Sequence, residues 1–279
     1  MRIPDKLVNI HAHLHSTMDV PARVAEWRAH NCAKVVVLAD SAYWQPPNSV
    51  YLGNAGVLRW MREFPDLLVG MGNVELGQTM GSADDVSRLK DQGFSGLKLE
   101  MPSHPYDHDR YMPLYERAEA LGMPILFHTG WVYRLGEQDR VSRLSAAHMH
   151  PYTLDRIARS FPDLKIIGAH LGMPQCEDAI ALLLGHDNVW FDISWDVADA
   201  AFFARLRKAL APFPGADWDD PAHNFALRCF EKIPFGTDDP PVGDWLPLAH
   251  ELLDWLHVPA QTREDFFWRT ADRIFGWGL

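Results

Sequence analysis

The sequence predicts an α/β protein, a (β/α)8 TIM barrel in a single domain with a C-terminal helical extension. Three observations predict it. Short apolar runs rich in Val and Ile alternate with helical stretches along the whole chain, the pattern of parallel strands buried on both faces. Polar residues close strands 1, 4, 5, 6 and 8, forming the ring of sites a barrel mouth offers; an open doubly wound sheet would bind ligand at one switch point. The 279 residues, 47% of them hydrophobic, suit a barrel of ~250 residues. No linker or low-complexity tract divides 1–279, so one domain is expected.

The elements follow in order. Strands are read at 7–13 (LVNIHAH), 34–39 (KVVVLA), 67–74 (LLVGMGNV), 95–100 (SGLKLE), 124–128 (PILFH), 164–170 (LKIIGAH), 188–193 (NVWFDI) and 232–237. Helices are read at 20–30, 50–63, 82–92, 111–121, 151–160, 175–186, 197–211 and 243–257. Turn residues mark several boundaries: Phe64-Pro65-Asp66, Gly122 before Pro124, and Phe161-Pro162-Asp163, where Pro and Gly interrupt the regular backbone. Residues 212–224 (PFPGADWDDPAHN) read as an inserted loop before strand 8. The tail after 259, with Trp268, Phe275 and Trp277, is expected to pack a last helix on the barrel.

His11 and His13 are the first chemical signal. Side chains at i and i+2 of a strand share a face, so this pair can reach one ion while Ala12 points away. Three further strand ends carry candidate ligands: His128 in PILFHTG, His170 in KIIGAHLG and Asp238 in IPFGTDDP. Imidazoles with a carboxylate suit a divalent metal, zinc first and manganese as the alternative. A second pair, His148 and His150, precedes Pro151 at a helix start and reads as loop.

Composition excludes other classes. A formal net charge of −11 argues against nucleic acid or an anionic membrane surface. No apolar run approaches the ~20 residues needed to span a bilayer, and the first residues enter a strand without a signal-peptide core. Cys32, Cys176 and Cys229 are odd in number and far apart, which fits reduced structural thiols rather than disulfides. A cytoplasmic protein is expected, a homodimer, with a small-molecule substrate as its partner.

The segments VNIHAH, GFSGLKLE, PILFHTG, FPDLKIIGAHLG and PFGTDDP occur in an order that resembles the amidohydrolase superfamily, specifically its amidohydrolase-2 branch of aminocarboxymuconate-semialdehyde decarboxylase-like enzymes. The resemblance covers essentially the whole chain. It implies a metal-dependent barrel with ligands at His11, His13, His128 and Asp238, and His170 beside the metal or on a second one. Two positions depart from the pattern: Asn9 stands where many members carry Asp, and GLKLE stands where many read GLKLH. If Leu97 and Leu99 face the helices, Lys98 and Glu100 face inward. Glu100 then bridges two metals (or a modified Lys98 does), contacts substrate, or forms an ion pair with Lys98.

The chemistry follows from these groups. A catalytic metal keeps a position open and lowers the pKa of water to about 7. Asp238 is expected to take the proton from that water and pass it to a leaving group. His170 is expected to polarise a substrate oxygen or orient the water, and Asp239 to cap the next helix. Trp131, Arg134 and His104 are candidate substrate contacts, with His15, His108, Tyr133, Arg140, Arg143, Trp44 and Trp195 weaker ones. Three readings remain: a hydrolase of a lactone, amide or ester; a non-oxidative decarboxylase of a small aromatic or unsaturated acid; and a catalytically silent binding barrel. Decarboxylases of the branch are often longer, with larger loop insertions, which favours the hydrolase.

Overall fold

In the computed structural model the described residues are 2–41, 50–77, 79–132, 144–211 and 225–279. Seven strands form one parallel sheet in sequential order: β1 (Leu7–His13), β2 (Cys32–Leu38), β3 (Leu68–Asn73), β4 (Gly96–Leu99), β5 (Ile125–Phe127), β6 (Ile166–Gly168) and β7 (Val189–Phe191). Each strand pairs in parallel with the next. Helices connect them: α1 (Val20–Ala29), α2 (Asn54–Glu63), α3 (Ala83–Asp91), α4 (Met112–Ala120), α5 (Thr153–Ser160), α6 (Cys176–Gly185) and α7 (Ala200–Leu210). Beyond them come α8 (Phe225–Phe230), α9 (Val242–Trp255), α10 (Ala260–Glu264) and α11 (Thr270–Phe275). Local signals begin several helices. The Asp19 carboxylate accepts from Ala22 N at α1, and Ser82 with Asp85 forms a capping box at α3, each meeting amides that a helix start leaves unpaired.

The ring closes through 233–238, but the eighth strand expected at 232–237 is not a regular one. Ile10 donates to the Phe235 carbonyl, and Thr237 and Asp238 both donate to the His11 carbonyl. A single parallel bridge joins Ala12 and Asp238. Pro234 has no N–H to give a ladder, and Phe235 N–H is spent on the Phe266 carbonyl. Gly236 makes the close approach possible. A Cβ there would stand 2.9 Å from His11 Cβ and 3.5 Å from Asp192 Cβ.

Two apolar clusters separate the layers. The larger holds Leu7, Val35, Val37, Leu97, Leu99, Ile125 and Phe127 with helix residues such as Val24, Trp27 and Val57. The smaller gathers Val8, Ile10, Val36, Leu38, Val69, Met71, Leu126 and Ile167 inside the ring, together with Ala271 and Ile274. The tail therefore does more than pack on the barrel: α11 plugs the end of the ring where the strands begin. The Lys165 ammonium, at the foot of β6, donates to the Ile274 and Arg273 carbonyls. Among the described residues no helix is long and apolar enough to cross a membrane, and Cys32, Cys176 and Cys229 are free and buried. The inserted loop expected at 212–224 lies outside the described residues.

Because Ile274 fills the plug and is 1% exposed, Ile274→Ala should cost about 2–5 kcal/mol, the range for a large-to-small change in a packed core. Chemical denaturation measures it. A loss below about 0.5 kcal/mol would mean the tail does not seal the barrel.

Candidate metal centre and cavity

The histidine pair faces the cavity because β1 bulges. From Asn9 to Ala12 the strand advances three residues while β2 advances two, from Val35 to Val37. An extra residue reverses which side chains face inward. Below the bulge Val8 and Ile10 point into the ring; above it His11 and His13 do, while Ala12 joins the outer cluster. Asn9 holds the bulge: its Oδ1 accepts from His11 N at 3.1 Å, and its Nδ2 donates to Thr237 Oγ1 at 2.9 Å. Asn9 thus ties β1 to the residue preceding Asp238.

Three atoms then converge. His11 Nε2 lies 3.3 Å from His13 Nε2 and 3.4 Å from Asp238 Oδ1, and His13 Nε2 lies 3.2 Å from the same oxygen. The outer ring nitrogens are committed elsewhere, His11 Nδ1 to Asp192 Oδ2 at 2.9 Å and His13 Nδ1 to Asp40 Oδ2 at 3.0 Å. If both Nδ1 atoms carry protons for those carboxylates, the three facing atoms are all lone pairs. Only a cation relieves such a cluster. Without a metal a proton takes the place: burial disfavours charge on His13, yet Asp40 and Asp238 raise its pKa well above the ordinary value. Burial likewise opposes ionisation of Asp238, but the surrounding imidazoles, His11 first, hold its carboxyl well below the usual range. Two imidazoles and a carboxylate are a donor set that could hold a metal ion.

His170 and His128 stand beside this cluster. Their rings are 5.0 Å apart, and His170 is 5.2 Å from His11. His170 Nδ1 is 2.7 Å from the Ser194 carbonyl and must carry the proton there. Burial first, then the charges of His11 and Lys98, push its pKa down to about 4. At neutral pH its Nε2 is therefore a bare acceptor, which suits the orienting of water, one of the two roles expected from the sequence. His128 Nε2 pairs with the Trp131 carbonyl at 3.2 Å, and burial with the neighbouring His170 and Lys98 holds its pKa well below normal. His128 lines the cavity but stands outside the two close donor groups among the described residues, His11–His13–Asp238 and His11–His170–Asp192. The second group is scaffolding. Asp192 Oδ1 already accepts from His170 N, Ser194 N and Ser194 Oγ.

The groups open into a cavity of about 530 Å³ lined also by Asp40, Tyr51, Lys98, Glu100, Trp131 and Trp195. Lys98 and Glu100 both face inward, but they form no ion pair among the described residues; Glu100 Oε1 accepts from Ser41 N at 2.7 Å. Burial, then the Asp40 charge, raises the Glu100 pKa to about 7. Asp239 is not a helix cap: it accepts from Tyr51 Oη at 2.7 Å and pairs with His15 Nε2 at 2.9 Å, while Pro241 precedes α9. His104 is not brought to the cavity. Its Nδ1 faces Arg110 and Ser103 in the loop after β4. His148 reaches the Pro102 carbonyl and His150 pairs with Asp178, both structural. Arg134, Tyr133, Arg140, Arg143 and Trp44 lie outside the described residues. Asp40 and Asp192 escaped the sequence reading, although each also closes an apolar strand run (VVVLAD and VWFD).

Fold and site together define a (β/α)8 barrel whose cavity holds a His/His/Asp group that could bind a metal. The chain belongs to the amidohydrolase family (Amidohydro_2), whose model matches residues 23–277. His11 and His13 precede that range, so their role rests on the geometry above. No curated protein matches the sequence. Solved structures share the fold. An uncharacterized TIM-barrel protein from Bordetella bronchiseptica is 18% identical, with TM-score 0.65 over 92% of this chain and 83% of that one. A probable 2-pyrone-4,6-dicarboxylic acid hydrolase from Acinetobacter baumannii is 16% identical, with TM-score 0.63 over 98% and 100%. A 2,6-dihydroxybenzoate decarboxylase from Rhizobium is 14% identical, with TM-score 0.58 over 91% and 87%.

Asp192→Asn tests the scaffold. An amide opposite His11 Nδ1 presents N–H to N–H, so the imidazole must move its proton to Nε2 and lose its lone pair toward the cluster. Metal affinity should fall about 10–100-fold, the usual effect of removing a carboxylate behind a ligand histidine. Competition with a chromogenic chelator reads it. Affinity unchanged within about twofold would show that His11 is not a ligand.

Proposed function

We propose that this protein is a metal-dependent hydrolase of a small organic substrate, a lactone before an amide or ester. The observation that carries the reading is the convergence of His11 Nε2, His13 Nε2 and Asp238 Oδ1 with both outer nitrogens anchored by carboxylates. These three residues would hold one divalent ion, zinc or manganese, with His128 completing the set on the cavity side. When bound, the ion supplies Lewis acidity and brings the pKa of water to about 7. Asp238, partly open to the cavity, accepts the proton of an attacking water and returns it to the leaving group. His170 Nε2 accepts a hydrogen bond from the same water and fixes its direction. Trp195, whose ring is 5.1 Å from His170, and Trp131 supply apolar walls for a planar substrate.

Lactone hydrolysis is supported over decarboxylation by the extent of the structural match. The chain spans all of the pyrone-dicarboxylic acid hydrolase but 87% of the decarboxylase. The decarboxylase is the second reading, and released carbon dioxide against water-dependent ring opening separates them. The buried thiols accord with a cytoplasmic setting.

Protein purified without chelator should carry near one equivalent of divalent metal by elemental analysis. Asp238→Asn should keep its circular dichroism and lose about 10²–10⁴-fold in turnover, the worth of a positioned acid–base group. A chain that neither holds nor takes up metal, or a variant within about threefold of the parent, would sink the assignment.

A further inference from the structure

Lys98 is the one lysine or arginine among the described residues that line the cavity. It is 1% exposed, and its ammonium makes no hydrogen bond or ion pair among the described residues. An ammonium that opens only onto a cavity, away from bulk water, is favoured by an anionic partner there. Glu100 feels the Lys98 charge but accepts from Ser41 N and forms no ion pair with Lys98 among the described residues, while Asp192 serves His11, His170 and Ser194 and Asp238 serves the histidine pair. Its position is rigid. Lys98 pairs in register between Asn73 and Leu126, and Asn73 Nδ2 donates to its carbonyl at 3.1 Å. The stem therefore rises from within the ring, and its charge is felt at Glu100, His128 and His170.

We infer that Lys98 anchors a carboxylate of the substrate, so that this cavity selects small organic acids over neutral lactones, amides or esters. An ammonium meeting a carboxylate away from water makes a charge-assisted hydrogen bond, stronger than a neutral one. The carboxylates already around the floor favour a monoanionic group over a more highly charged phosphate. The inference takes its reaction from the hydrolase reading above, whereas the anchoring itself is testable without turnover.

The test uses isophthalate and its neutral analogue isophthalamide, titrated calorimetrically into metal-loaded parent, Lys98→Met and Lys98→Arg. The parent should bind isophthalate at least about tenfold more tightly than isophthalamide, the order of a hydrogen bond to a charged group. Lys98→Met should lose most of that preference with metal content unchanged, and Lys98→Arg should keep an anion preference. A parent that does not prefer the acid, or a Lys98→Met variant that keeps the preference, overturns the inference. So does incorporation of labelled carbon dioxide at Lys98 with loss of one metal equivalent in Lys98→Met, since that makes the residue a bridging carbamate. Turnover of coumalate (2-pyrone-5-carboxylate) and unsubstituted 2-pyrone separates the two claims. Loss of the binding preference in Lys98→Met without turnover of either lactone keeps the anchor and removes the hydrolase. Equal turnover of both lactones by parent and Lys98→Met keeps the hydrolase and removes the anchor.

Discussion

Three side-chain atoms that converge on one point organise this molecule. His11 Nε2, His13 Nε2 and Asp238 Oδ1 stand within 3.2–3.4 Å of one another, a distance at which acceptors repel unless a cation lies among them. The protein supplies the rest of the arrangement to hold them there. Asp192 and Asp40 lock the outer nitrogens of the two rings, and burial, although it opposes ionisation of Asp192, is outweighed by His11, which holds that carboxyl far below its usual pKa. The barrel thus holds a buried polar cluster in order against the cost of burying it.

The backbone bears a local strain at the same place. Met101, His170, Leu171 and Asp238 all have positive φ, a region that costs a non-glycine residue about 1–3 kcal/mol. These residues fall just past the ends of β4 and β6 and on the closing segment beside β1. Each sharp turn redirects the chain out of the ring while its neighbouring side chain stays over the cavity. The surrounding sheet, closed by Gly236 against His11 and Asp192 and plugged below by α11, over-determines the positions and so sustains the strain.

The ring therefore has two ends with different chemistry. Its lower half is filled by Val8, Ile10, Val36, Val69 and Ile167 against Ala271 and Ile274. Its upper half carries the buried His11, His13, Asp40, Glu100, His170 and Asp192. The single-residue bulge in β1 marks the change, and Lys98 reaches across it from the layer beneath. That division leaves the chain free to vary its loops around a fixed polar floor, as barrels of this kind do.

What the sequence by itself determined is periodic or local. Seven strands and the helices between them were legible because buried parallel strands read as Val- and Ile-rich runs bounded by Pro and Gly. The i, i+2 spacing placed His11 and His13 on one face, and GLKLE placed Lys98 and Glu100 on the inner one. Tertiary structure alone decided the rest, because each remaining feature joins residues distant along the chain. No local pattern announces that Asp40 and Asp192 grip the two histidines, that Asp239 serves His15 and Tyr51 instead of a helix, or that Glu100 accepts from Ser41 N and forms no ion pair with Lys98 among the described residues. The eighth strand failed as a ladder because Pro234 lacks a donor and Phe235 found a partner in the C-terminal segment. The tail became a plug because only a closed ring has an open end for Ala271 and Ile274 to fill.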